Sequence, residues 1–397
     1  MSGSKKNLIN YGFKYRLYPS HRQRDQIETL FAGVRRVHND YVTHTKESTG
    51  LDHEAVKQSR RLTIRSLAQL PKRVLEKTHQ LLQNAYAKAV KRKRHLPQLK
   101  SWRSFQSAHF DKGLYAIHND GVEFSGIEGR VRTCFHREML PGKIRDCCLK
   151  RDKLGRYFVS FKLTVRPFKR SGNNAVGVDL GLKSFAVCSD GFVFENLKLK
   201  KRAQPHLQKR YETLRGKTAG SKNFNKTLQS IRKLEEKVAQ RRRHYFHVLT
   251  AKLIRENCVI GLEALDIARM MTKDGKRKLK IEDAGWGLFR KMTVEKARIS
   301  TGTAVVLAPP EYPSTQTCSV CENKSPTKIA LGVSQWRCPF CGTHHDRDMN
   351  AANNLRTMAV RWNTHLRSSM KGVRVLIGDP NRWAVDYHSM DYYNATY

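Results

Sequence analysis

The chain has 397 residues, 39% of them hydrophobic, enough for two or three domains with cores of their own and no need of disulfide staples. No run approaches the roughly 20 apolar residues that span a bilayer, and the polar, basic start from Met1 to Asn10 lacks the apolar stretch of a secretory signal. Lys and Arg number 76 against 34 Asp and Glu, a formal net charge of +42, which repels itself unless a polyanion neutralises it; membrane and secreted classes are set aside, and a cytoplasmic, nucleoid-associated partner of nucleic acid is expected.

Residues 11–18 alternate in character and predict a β-strand, which Pro19 and Ser20 end. From about Gln23 to Lys100 the pattern turns helical, with Ile27, Leu30, Phe31 and Val34 at three- and four-residue spacing and Val74, Leu75, Leu81, Leu82, Tyr86 and Ala89 repeating it. Val122–Phe124, Arg130–Cys134 and Tyr157–Leu163 read as strands punctuated by Asp120-Gly121 and Leu154-Gly155. The first 170 residues therefore predict a β-barrel or sheet, from 1–22 and 105–170, with a helical insert over 23–104. Arg170–Asn174 is the expected linker.

From Ala175 the chain reads as α/β. Val176 and Val178 belong to one strand and Phe185–Cys188 to the next, with Asp190-Gly191 as a hairpin turn into Phe192–Phe194. Residues 197–243 are helical and carry 16 Lys and Arg against 3 Glu. Leu228, Ile231, Leu234 and Val238 give them one apolar stripe. A solvated helix face explains such a run; at this density a surface facing nucleic acid explains it better. Buried strands follow at Val259–Leu262 and Ala304–Leu307. The tail over 371–397 has weak periodicity and is expected to be unstructured unless bound.

Of nine cysteines, five are scattered, and an odd count in such a chain argues against a disulfide framework. The other four form Cys318-x-x-Cys321 and Cys338-x-x-Cys341, sixteen residues apart. Two such knuckles suit a tetrahedral four-thiolate site for structural Zn2+ over residues 314–343. His344 and His345 lie close by, but four thiolates leave them no place in the coordination sphere.

Three acids stand at the ends of predicted elements: Asp179 on an apolar strand, Glu263 closing Cys258–Glu263, and Asp348 opening a helix. A lone buried carboxylate is costly unless paired or bound to metal. Each has an ordinary alternative: Asp179 caps a turn, Glu263 pairs with an Arg, Asp348 caps its helix. Together, at one sheet edge of a +42 chain, they suit two Mg2+ or Mn2+ ions for phosphodiester hydrolysis.

The ordered set of motifs resembles TnpB, the transposon-encoded nuclease family related to compact type V CRISPR effectors. It comprises Lys14-Tyr-Arg-Leu-Tyr-Pro19, Val34-Arg-Arg-Val-His-Asn39, Leu70-Pro71, Gly177-Val-Asp-Leu-Gly-Leu182, Asp283-Ala-Gly-Trp-Gly287, Cys318-x-x-Cys321 and Cys338-x-x-Cys341-Gly-x-x-x-Asp346-Arg-Asp348-x-Asn-Ala-Ala352. The resemblance implies an RNase H-like (RuvC) nuclease domain over 175–313 and 344–370, with Asp179, Glu263 and Asp348 catalytic. Asp346 is the cap of the last helix in that reading. It also implies a wedge-type β-barrel with a helical recognition insert, a guide RNA, and cleavage of double-stranded target DNA beside a short motif. Lys77, Thr78 and Gln80 are expected to face that motif, and Arg241, Arg242 and Arg243 the phosphates. One departure from the pattern is the segment after Cys321, which lacks the glycine that follows Cys341.

Other readings share these features. A nuclease-dead, guided repressor lacks use for all three acids. A transposase joins strands with the same RNase H-like chemistry. A zinc-ribbon RNA-binding protein leaves the acids unexplained.

Overall fold

The computed structural model describes residues 8–47, 53–92, 95–166, 172–273, 275–300, 302–330, 332–367 and 375–377. They form two compact units that divide after Arg166.

The first unit opens with β1 (Ile9–Tyr18), where Phe13, Tyr15 and Leu17 turn inward and Lys14, Arg16 and Tyr18 outward. Ser20 then starts α1 (His21–Glu47) with a reciprocal cap. Its hydroxyl accepts the Gln23 N–H at 3.2 Å, and the Gln23 side chain accepts the Ser20 N–H at 3.0 Å. Helices α2 (His53–Ser66) and α3 (Lys72–Lys91) follow. Then come β2 (Gln106–Phe110), β3 (Tyr115–Ile117), β4 (Gly121–Phe124), β5 (Arg130–Cys134), β6 (Gly142–Arg151) and β7 (Tyr157–Val165). The seven strands make one antiparallel sheet in the order β2-β6-β7-β1-β5-β4-β3. Ile27, Leu30, Phe31 and Val34 of α1 and Val74 and Leu75 of α3 share one core with the inward residues of β1. Where the sequence predicts a barrel or a sheet, no ladder joins β2 to β3 among the described residues.

In the second unit, β8 (Asn174–Leu180), β9 (Ala186–Cys188) and β10 (Val193–Phe194) form an antiparallel meander. Next come α4 (Leu199–Arg215), α5 (Lys222–Glu256), β11 (Asn257–Glu263), α6 (Ile267–Lys273), α7 (Gly275–Ala284), α8 (Trp286–Ile299) and β12 (Ala304–Ala308). The unit continues with β13 (Gln335–Arg337), β14 (His344–Asp346), α9 (Arg347–Arg367) and β15 (Val375–Ile377). The sheet order is β10-β9-β8-β11-β12-β15, with β11 parallel to β8, β12 parallel to β11 and β15 parallel to β12. Parallel strands covered on both faces read as continuous apolar runs, as Val259–Leu262 and Ala304–Leu307 do. One face packs on α5 and α8 through Val176, Val178, Ile260, Leu262, Val305 and Leu307. The other packs on α9 through Val259, Val306 and Ala308.

Two expectations need correction. The basic segment is two helices, broken at Gly216 and restarted by Ser221, whose hydroxyl accepts the Phe224 N–H at 3.1 Å. Val375–Ile377 extends the sheet beside β12 and is not unstructured; the rest of the tail, 371–374 and 378–397, lies outside the described residues. Arg170 and Ser171 of the expected linker do too, and Asn174 already belongs to β8.

Candidate metal centres

The position of the three acids follows from two glycines. Gly177 of β8 and Gly261 of β11 are register partners on adjacent parallel strands. A Cβ on Gly177 would sit 1.9 Å from the Ala352 carbonyl oxygen, and one on Gly261 2.3 Å from that of Leu355. Only the missing side chains let the α9 backbone lie directly on the sheet. Strand side chains alternate with period two, so Asp179 and Glu263, each two residues on, share that face. Asp348, one helical turn before Ala352, lies in the first turn of α9.

Asp179 is buried, at 7% exposure. Burial first, then repulsion from Glu263 and Asp348, holds its carboxyl well above the usual carboxylate range, against a pull downward from Arg347. Burial also raises Glu263, against a hydrogen bond from Ser314 Oγ at 3.0 Å and the Arg347 charge. Asp346 accepts the Met349 N–H at 2.9 Å and is the cap of α9, which leaves Asp348 free of that task. The oxygens of the three acids do not all lie within 4.8 Å of one another, unlike the four cysteine sulfurs. A buried carboxylate repelled by two half-buried ones is a donor set that suits a hard divalent cation.

The cysteine site is built from two knuckles of one design. The Cys318 N–H reaches the Asn323 carbonyl at 3.0 Å and the Glu322 N–H the Cys318 carbonyl at 2.9 Å; Cys338 with Thr343, and Gly342 with Cys338, repeat this at 2.9 and 3.0 Å. The sulfur pairs Cys318–Cys341 and Cys321–Cys338 are each 3.7 Å apart. A tetrahedron with metal–sulfur bonds of about 2.3 Å has edges of about 3.8 Å, so the site fits zinc. His345 lies 3.0 Å from the Cys318 sulfur, in reach to hydrogen-bond a ligand rather than replace one.

The expected nucleic-acid contacts fare unevenly. Lys77 pairs with Asp111 at 2.9 Å. Thr78 is buried, and its hydroxyl donates to the Val74 carbonyl at 3.0 Å, so it is not available as a surface reader. Gln80 is exposed. Arg241 and Arg243 are exposed, whereas Arg242 pairs at 3.0 Å with the buried Asp283. Sequence reasoning missed Gly177, Gly261, Arg347, Ser314 and Asn354. A pair of asparagines one turn apart, Asn350 and Asn354, within the apolar run of α9 was the legible hint.

Comparison with known proteins defines the class first. Family models match at residues 8–49 (OrfB of IS605-type elements, helix-turn-helix domain), 158–274 (the same family, described as a probable transposase) and 286–355 (Cas12f1-like, TNB domain). Despite the first model's description, residues 8–47 here are one strand and one helix. A Streptomyces pristinaespiralis protein, named for an inferred RNA-guided DNA endonuclease activity, is 28% identical over 87% of this chain and 89% of its own length. InsQ of Escherichia coli K12, similarly named, is 23% identical over 86% and 90%. The structure of Cas12f1 in its complex with sgRNA and target DNA superposes with a TM-score of 0.54 at 12% identity, covering 88% of this chain and 99% of that one. Over these segments the chain is similar to the OrfB, or TnpB-like, transposon proteins, and it shares the Cas12f1 fold.

Proposed function

We propose that this protein is an RNA-guided DNA endonuclease that cuts target DNA beside a short motif, with Asp179, Glu263 and Asp348 as its metal-holding catalytic acids. The observation that carries the reading is Asp179 itself: a buried carboxylate faced by two others. The strand order supports an RNase H-like (RuvC) core, since an antiparallel meander β10-β9-β8 is extended by β11 and β12 parallel to β8. Residues 8–166 are then the wedge-type domain with its helical recognition insert. The names of the relatives and the nucleic acids bound by Cas12f1 support a guide RNA and a DNA target.

Asp179 and Glu263 hold their oxygens on rigid strands and Asp348 on the first turn of α9, so little reorganises when a cation enters. Arg347 offsets part of the mutual repulsion. Bound Mg2+ or Mn2+ supplies an activated water and stabilises the leaving oxygen of the phosphodiester. The cysteine module holds structural zinc.

The test uses the chain with its co-purified RNA and a target carrying the flanking motif. Asp179→Ala should abolish Mg2+-dependent cleavage while guided binding stays within about an order of magnitude of wild type. Cutting by Asp179→Ala at the wild-type rate removes this acid from the mechanism. Tight binding by wild type with no cutting in Mg2+ or Mn2+ makes the protein a guided repressor. The transposase description of the matched family keeps strand transfer as a second reading; joined rather than simply cut strands in the same assay would establish it.

A further inference from the structure

A continuous set of buried and partly buried hydrogen bonds joins the cysteine module to one of the three carboxylates. After β12 the chain runs through Ser314 and Thr317 into the first knuckle. Ser314 is 3% exposed, and its hydroxyl donates to Glu263 Oε1 at 3.0 Å. The segment that carries it is clamped by two side chains of α9. Asn354 Nδ2 donates to the carbonyls of Ser314 at 2.7 Å and Thr317 at 2.6 Å. Asn350 Nδ2 donates to the same Thr317 carbonyl at 2.8 Å, and its Oδ1 accepts the Ser319 N–H, inside the knuckle, at 2.9 Å. Tyr312 adds a bond from its hydroxyl to the Asn354 carbonyl at 3.2 Å.

Both asparagines are buried, at 1% and 5% exposure. A buried amide left unpaired is costly, so these two hold the segment in one arrangement as long as the knuckle presents its backbone. The knuckle backbone is in turn set by the geometry of four converging thiolates. Ser314 therefore approaches Glu263 from a segment whose two anchors are the knuckle and the first turns of α9, the helix that bears Asp348. A hydroxyl donating to a carboxylate fixes the rotation of that carboxylate and directs its remaining lone pairs.

We propose that Ser314 is a positioning residue for the Glu263 carboxylate, and that the cysteine module, acting through Asn350 and Asn354, keeps Ser314 in place, so that loading of the structural site and readiness of the catalytic one are coupled. The inference rests on the metal-holding role of Glu263 proposed above.

The test measures Mn2+ binding to the full chain by electron paramagnetic resonance without target DNA, taking only the part lost in Asp179→Ala. Cleavage is followed separately as a function of Mn2+. Ser314→Ala should weaken Asp179-dependent Mn2+ binding about tenfold and raise the Mn2+ needed for half-maximal cleavage alike, with zinc content and guided DNA binding unchanged. Ser314→Thr and Ser314→Val add the same bulk, and only the former keeps the hydroxyl. Thr should retain most of the affinity and Val should lose it, which separates positioning from packing. Cys341→Ser should weaken Mn2+ binding in the wild-type background and add little in Ser314→Ala, because both act through one contact. Equal Mn2+ affinity for Ser314→Ala and wild type, or for the Thr and Val variants, overturns the positioning role while leaving the three-acid site standing. Additive losses for Cys341→Ser and Ser314→Ala overturn the coupling. Wild type with no Asp179-dependent Mn2+ binding overturns this inference and the three-acid reading together.

Discussion

Glu322 has φ of 62°, beside the 71° of Gly342 at the matching place in the second knuckle. The absent glycine noted in the sequence is thus a change of residue and not of backbone: the knuckle hydrogen bond needs this left-handed turn whichever residue supplies it. A side chain there costs about 1 kcal/mol of strain. Its compensation is an ion pair with Arg361 of α9 at 2.5 Å, both ends more than half exposed and so well screened. Strain should therefore outweigh the pair. Glu322→Gly is expected to raise the melting temperature of the zinc-loaded chain by a few degrees at most, and Glu322→Ala, which keeps the strain and loses the pair, to lower it. A glycine variant no more stable than the alanine one would show that the backbone strain is negligible here. At this scale, what the sequence discloses depends on reach. The thiolates were legible because each knuckle places two ligands three residues apart. The ion pair of Arg242 was not legible because its partner, Asp283, is forty-one residues away.

Asp283 organises the basic hairpin of α4 and α5. Its carboxylate accepts the N–H groups of Lys200 and Lys201, at 2.7 and 2.9 Å, at the start of α4, and reaches Arg242 in the middle of α5. One acid thereby satisfies orphan donors at a helix start and ties in the neighbouring helix. Removing Arg242 leaves a buried carboxylate short of a partner, a loss of about 2 kcal/mol. Arg242→Gln should therefore lower the melting temperature. Arg241→Gln and Arg243→Gln should leave stability within about 0.5 kcal/mol and instead flatten the salt dependence of RNA binding. Three equal effects on binding, with stability untouched, would return Arg242 to the phosphate-facing surface. Elements themselves were largely legible: alternation marked β1, and apolar spacing marked α1 and α3. Thr78 was misjudged even though Val74, Leu75 and Leu82 mark the inner face of α3 on which it falls. What periodicity could not disclose was pairing. That Gly177 and Gly261 are register partners, and so seat α9, depends on strands eighty-four residues apart.

Over the whole molecule, charge is the property read most directly from composition and least dependent on fold. A chain of +42 carries self-repulsion in its compact state that expansion relieves. Its 34 acids, some in fixed pairs such as Arg242 with Asp283 and Lys77 with Asp111, are fewer than half of its 76 cations. Salt should then act with opposite sign on two states of the same protein. Freed of nucleic acid, the chain should melt at a higher temperature as salt rises, because screening shortens from about 10 Å at 0.1 M to about 3 Å at 1 M and weakens the repulsion. With RNA bound, the phosphates already supply that neutralisation. Salt then competes with them, and the logarithm of the binding constant should fall linearly with that of salt concentration, by about 0.7 per neutralised phosphate on a single strand and 0.9 on a duplex. Melting curves and RNA titrations over one salt series give both slopes. If the nucleic-acid-free chain melts lower as salt rises, its cations are paired within the fold, and the charge excess is no longer the reason the protein takes a polyanion.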